Sequence, residues 1–168
     1  MKGDRNLGII RAMTAEDWPY IEVIYNESIE NGYSTFRTEC PKYEEWDSYM
    51  KKDSRLVYEI DGEVVAFSIT AKFSVIPAYS GVLESSIYVA RKCQGQGIGY
   101  TLLMAQAEQT EKLGYWSLYA KVLEVNKASI ALHKKCGFRQ IGYRERIAKD
   151  RFGNWQNLVE LERRNSIE

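Results

Sequence analysis

The chain of 168 residues sets 23 Lys and Arg against 23 Asp and Glu, and this zero formal charge argues against bulk nucleic-acid binding, which needs a basic excess. Apolar residues at 45% and charged residues at 27% suit one globular domain with a full core, so stability calls for neither disulfides nor a metal. Cys40, Cys93 and Cys136 lack paired spacing and His133 is the sole histidine, so the thiols read as free in a reducing cytoplasm and no zinc pattern is present. The opening residues 1–6 are polar and no apolar run reaches spanning length, so neither a signal peptide nor a membrane segment is expected.

Residues 8–12 form a short strand candidate. Thr14 and Asp17 then make a variant capping box ahead of a helix over 15–30, whose Trp18, Ile21, Ile24, Tyr25, Ser28 and Ile29 fall near helical spacing. Asn31-Gly32 stops that helix. Residues 35–38 read as extended, and 42–52 as a shorter helix through Tyr43, Trp46 and Met50. Strands at 55–60 and 63–73 are joined by Asp61-Gly62, a two-residue hairpin signal. A loop at 77–81 precedes a buried strand at 82–89. A glycine-rich loop leads into a helix over 98–113, stopped by Gly114. A strand at 116–122, a helix at 126–136 closed by Gly137, and strands at 138–148 and 154–162 turning at Gly153 complete the chain. The order βαα-βββ-α-β-α-ββ predicts an α/β domain. Its sheet is mostly antiparallel, with one parallel element where helix 98–113 crosses over.

Chemistry concentrates in Gln94-Gly95-Gln96-Gly97-Ile98-Gly99. Three glycines in five positions permit positive φ and close approach to the backbone. The amides at the following helix start are unpaired by the helix itself and carry partial positive charge, which suits a phosphate. The dinucleotide fingerprint fails, because its third glycine would fall on Tyr100 or Leu102. The triphosphate loop fails too, since no Gly-Lys pair exists. A tight strand-to-helix turn without a ligand accounts for the same glycines and stays open on spacing alone.

Gln94-x-x-Gly97-x-Gly99 resembles the loop with which the GNAT acetyltransferase superfamily cradles the pyrophosphate of acetyl-CoA. The segment from Asn126 through Ser129, Leu132 and His133 to Gly137-Phe138 is similar to a second motif of that superfamily. Ile24-Tyr25-Asn26, Phe36-Arg37-Thr38-Glu39, Glu84-Ser85-Ser86 and Phe152-Gly153-Asn154-Trp155 resemble the phosphinothricin and methionine sulfoximine acetyltransferase branch, over about residues 8–162. The resemblance implies one domain over 1–168: a GNAT fold with a seven-stranded mixed sheet and about four helices. It also implies acetyl-CoA as co-substrate, direct transfer to a small amino-acid-like amine, and a homodimer.

By the same resemblance Glu84 is a candidate general base, which burial among neighbours such as Val82 and Leu83 would tune. His133 stands where many relatives carry a tyrosine acid, and is either that acid or a contact near the cofactor. Cofactor contacts fall to Ile87, Tyr88, Val89, Gln94, Gly95, Gln96, Gly97, Ile98, Gly99, Asn126 and Ser129. A backbone N–H near Val89 is the expected oxyanion donor. Glu84 also reads as a surface carboxylate, His133 as a structural histidine, and Asn126 as a plain N-cap. Lys134 and Lys135 reach toward CoA phosphates or are solvated. Phe36, Arg37, Tyr79 and Tyr88 are acceptor-pocket candidates. Two arginines usual in the branch are Ser74 and Ile76 here, which removes the bidentate groups expected for an anionic acceptor. The competing readings are a peptide or protein N-acetyltransferase and a non-catalytic CoA sensor.

Overall fold

The computed structural model describes residues 8–166, so the polar opening at 1–6 lies outside the described residues. Seven strands form one sheet: β1 (Ile9–Ala12), β2 (Leu56–Ile60), β3 (Glu63–Lys72), β4 (Val82–Val89), β5 (Ser117–Leu123), β6 (Arg139–Lys149) and β7 (Trp155–Arg164). Four α-helices accompany them: α1 (Trp18–Asn31), α2 (Tyr43–Tyr49), α3 (Ile98–Lys112) and α4 (Lys127–Lys135). The strand order is β1-β2-β3-β4-β5-β7-β6. Only β4 and β5 pair in parallel, and α3 makes the crossover between them.

Local chemistry sets most boundaries. Asp61 at φ 51° and Gly62 at φ 80° make the tight β2–β3 turn expected of an Asp-Gly pair. The helix predicted over 15–30 begins as a 3₁₀ turn at Ala15–Asp17, then runs as α1 with Pro at its start. Gly32 ends it in the left-handed conformation, its N–H donating to the Ile29 carbonyl. The second helix stops at Tyr49 rather than 52, because Met50 is extended and bridges Ala71 of β3. Residues 35–38 join no strand: the Asn31 side chain accepts from the N–H groups of Tyr33 and Ser34 and curls the chain into an irregular loop. α3 ends one residue short of the expected 113: Leu113 is its C-cap and is 47% exposed.

The core has two lobes. One packs α1 and α2 on β2 and β3 around Phe67, Val57, Ile21 and Trp46. The other packs α3 and α4 on β4, β5 and β7 around Leu83, Leu103, Leu118 and Leu161. Glu84 and Tyr119 form the last β4–β5 pair, and past them the two strands part. For that reason β4 is not the buried strand its composition predicts: Leu83 and Ser85 are buried, but residues 86–89 are only partly covered. The β6–β7 turn reaches across to the end of α1, where Phe152 lies against Gly32 and Arg151 Nη1 donates to the Ile29 carbonyl at 3.2 Å.

Candidate active site

The parting of β4 and β5 opens a cleft of about 550 Å³ between the C-terminal half of β4, the glycine loop, and the starts of α3 and α4. Strand alternation places the polar groups along it. Ala90 N–H donates to Val65 of β3 at 2.8 Å, so the even-numbered residues of β4 direct their main-chain groups to β3. The main-chain N–H groups of Ile87 and Val89 therefore face the side that β5 has left. Gln94 Nε2 donates to the Val89 carbonyl at 3.1 Å and ties the loop to the strand end.

The three loop glycines divide into two jobs. Gly95 and Gly97 sit at φ 73° and 82°, and a Cβ on either would meet no protein atom within 4 Å. Their outer side is open, with the unpaired amides at the start of the 15-residue α3 behind it. Gly99 has no positive φ; a Cβ there would stand 3.1 Å from Leu132 Cδ2, so this glycine lets α3 approach α4. Such a cradle fits a pyrophosphate. Ile98 is buried beneath it and anchors the helix start. Gln96 does not line the cleft; its amide donates to the Lys92 carbonyl at 3.3 Å.

Asn126 is the N-cap of α4, accepting from Ser129 N–H through Oδ1 at 3.2 Å, and its Nδ2 donor is left for another partner in the cleft. His133 lies one turn beyond Ser129. Its Nδ1 is 2.7 Å from the Ser129 carbonyl, which only accepts, so Nδ1 carries the proton. Nε2 is then an acceptor, buried and without a partner among the described residues. Burial holds the imidazole below its usual pKa, against a smaller raising effect of the Ser129 bond. The ring is packed edge-on against Phe138 at 4.9 Å.

Glu84, in the last β4–β5 pair and on the strand face opposite Leu83, does not itself line the cleft, although its neighbour Ser85 and its ion-pair partner Lys121 do. Its side chain is 31% exposed and Oε1 is 2.9 Å from Lys121 Nζ. The burial expected around this carboxylate is replaced by an ion pair across the strands. Tyr88 turns to the α1 side, stacked at 5.0 Å on Phe67 and tilted at 5.2 Å against Tyr25. Burial pushes its phenol far up, so it stays a neutral donor. Phe36, Arg37 and Tyr79 do not line the cleft, and Tyr79 packs on Phe73 at 5.8 Å, beside Tyr119.

Sequence reasoning missed several wall residues. Ser85 donates to Gln106 Oε1 of α3 at 2.6 Å, and Gln106 Nε2 donates to the Ile69 carbonyl of β3. Lys121 and Arg91 both line the cleft, as does Lys135, whose ammonium stands 4.8 Å over the Tyr100 ring, whereas Lys134 does not. Alternation on β5 flags Lys121, the lone exposed residue of that strand. No local signal flags Gln106, because its partners are 21 and 37 residues away. Among the described residues no helix is long and apolar enough to cross a membrane, and no group of three or more His, Cys, Asp or Glu could hold a metal ion.

Residues 18–138 match the acetyltransferase (GNAT) family. The chain is 31% identical over 160 residues to the phosphinothricin N-acetyltransferase of Alcaligenes faecalis, covering 92% of this chain and 81% of the relative. It is 27% identical to the L-methionine sulfoximine/L-methionine sulfone acetyltransferase of Pseudomonas aeruginosa, covering 89% and 90%. Among solved structures it resembles a phosphinothricin acetyltransferase from Sinorhizobium meliloti in complex with acetyl-CoA. That likeness has a TM-score of 0.85 and 26% identity, covering 95% and 89% of the two chains.

Proposed function

The chain belongs to the acetyltransferase (GNAT) family, and on that premise we propose that its acceptor is a small amino-acid-like amine and that the cleft residues divide the work of acetyl transfer as follows. It is an acetyl-CoA-dependent N-acetyltransferase. Acetyl-CoA supplies an acyl group already activated as a thioester. The observation that carries the reading is the parting of β4 and β5 after the Glu84–Tyr119 pair, which runs straight into the glycine cradle.

In this reading the amides of Gly95, Gly97, Ile98 and Gly99 hold the pyrophosphate, with Gln94 setting the loop. Arg91 and Lys135 add charge at the rim. Ile87 and Val89 direct main-chain donors at a carbonyl oxygen in the opening. Tyr88 walls the same opening, and Asn126 Nδ2 and Ser129 contact the pantetheine arm. Glu84 takes the proton of the acceptor amine, directly or through a water. His133 serves as an acceptor near the cofactor, because its neutral tautomer offers Nε2 as a lone pair. Phe36, Arg37 and Tyr79 belong to the outer acceptor surface.

The continuous sheet over residues 9–164 supports a single domain spanning the chain. Three free cysteines support a cytoplasmic protein. Exposed Ile141, Tyr143 and Ile147 on edge strand β6 support a homodimer, which sedimentation tests.

The decisive experiment is free-thiol release from acetyl-CoA over a panel of amino acids, sulfoximines, phosphinates, polyamines and short peptides. Turnover with amino-acid-like amines is expected. Tight CoA binding with no acceptor-dependent release overturns the reading in favour of a sensor; release with peptides alone overturns it in favour of peptide acetylation. Glu84→Gln is expected to depress the neutral-pH rate more than it weakens CoA binding. An unchanged pH–rate profile removes Glu84 from the base role.

A further inference from the structure

Lys121 is placed oddly for a structural lysine. It lies in mid-strand on β5, between buried Ala120 and Val122, and is the only exposed position of Ser117–Leu123. It is two residues past the last β4–β5 pair, where the strands have parted, and it lines the opening. Its Nζ meets Glu84 Oε1 at 2.9 Å, with side-chain exposures of 44% and 31%.

The neighbouring charges are already committed. Glu160, beside Lys121 across the β5–β7 ladder, accepts from Tyr119 OH at 2.5 Å and from Arg144 Nε at 3.2 Å. These donors hold its carboxyl below the usual range, the Tyr119 bond foremost. Arg144 is in turn occupied by Glu160. Segment 72–79 offers no replacement at the positions of the absent arginines: the Ser74 hydroxyl accepts from Ile76 N–H, and Ile76 is 54% exposed.

We propose that Lys121 is a specificity-determining residue that receives the carboxylate of the acceptor while Glu84 receives its amine. This rests on the reading of Glu84 as the acceptor-side base. A zwitterionic amino acid carries both charges one carbon apart, and the Glu84–Lys121 pair presents the two complementary charges side by side. An ion pair this open to water is weak and easily exchanged. Binding replaces one internal pair by two charge-assisted contacts with the acceptor. Selectivity for a free carboxylate then comes from β5 instead of from the loop at 72–79.

The test compares one amino-acid acceptor with its carboxamide, which keeps the amine and loses the negative charge. Wild type is expected to favour the acid. Lys121→Met is expected to lower kcat/KM for the acid by roughly 10-fold to 100-fold, mainly through KM, and to lower that for the carboxamide by much less, since only the loss of the ion pair at Glu84 is shared by both acceptors. Lys121→Arg is expected to restore most of the preference, and unchanged CoA affinity in each variant certifies the fold. Equal losses on acid and carboxamide, or no loss on either, overturn the proposal. The wider reading fails differently: wild type then binds CoA and releases no thiol with any amine.

Discussion

His133 Nδ1 donates to the Ser129 carbonyl 2.7 Å away, one helical turn back, and this bond fixes the tautomer of the only histidine in the chain. Nε2 is left as a buried acceptor, and protonating it would bury an unpaired charge. The folded protein therefore takes up this proton less readily than the unfolded chain. A depressed folded pKa means that stability is fully present above the ordinary value of 6.5 and is lost as pH falls below it. Imidazole NMR titration is expected to give a midpoint below 6.5. Urea midpoints are expected to fall between pH 7.5 and pH 5.5 by more in wild type than in His133→Gln. Equal falls would show that the ring is not the source.

The Ser85–Gln106–Ile69 link is expected to stabilise the base of the cleft. Gln106 is 0% exposed and joins α3 to both β4 and β3. Gln106→Leu keeps the volume and leaves the Ser85 hydroxyl without its acceptor. Its expected cost is about 1–3 kcal/mol in urea unfolding. A cost within the error of the wild-type value removes the link from the account.

The glycines of the loop are expected to respond separately. Gly97→Ala meets no steric block from the protein, but forces a Cβ into the left-handed region at about 1–2 kcal/mol and into the space proposed for the pyrophosphate. Gly99→Ala keeps helical backbone, and Leu132 has only to yield slightly, so its stability is expected to stay within about 1 kcal/mol of wild type. Calorimetric titration is expected to show a larger loss of CoA affinity for Gly97→Ala than for Gly99→Ala. The reverse order contradicts the division of roles.

Gly32 and Phe152 are expected to couple. At Gly32 φ is +71°, and a Cβ would overlap Cε2 of the Phe152 ring. Gly32→Ala should cost about 1–3 kcal/mol through strain and overlap together. In a Phe152→Ala background the overlap is gone and only the strain remains, so the cost should shrink. Strict additivity in the double-mutant cycle would show that the β6–β7 turn does not rest on α1 in solution.

Much of the fold is legible where neighbours in sequence decide the outcome. The Asp61-Gly62 turn, the Gly32 stop and the helix over 98–113 follow from propensity and periodicity. The glycine cradle was legible for the same reason, since its geometry belongs to one short segment. Phe36, Arg37 and Tyr79 were less so: the first two sit in a loop without a period and Tyr79 in a single 3₁₀ turn, and no spacing rule says which way such side chains turn. Residues 35–38 join no strand, because the Asn31 side chain turns the chain just before them and the Thr35 hydroxyl accepts from the Arg37 N–H.

What the sequence determined alone is the order of elements, the phosphate-type loop at 94–99 and the family motifs around Asn126 and His133. These depend on contacts within a few residues, which spacing reveals. What only the tertiary structure decided is the register across the sheet. The last β4–β5 pair falls at Glu84 and Tyr119, residues 35 apart, and this opens the cleft just beyond them and sets Lys121 against Glu84. Strand register is a balance of burial and hydrogen bonding over the whole sheet, and no stretch of sequence carries that balance by itself.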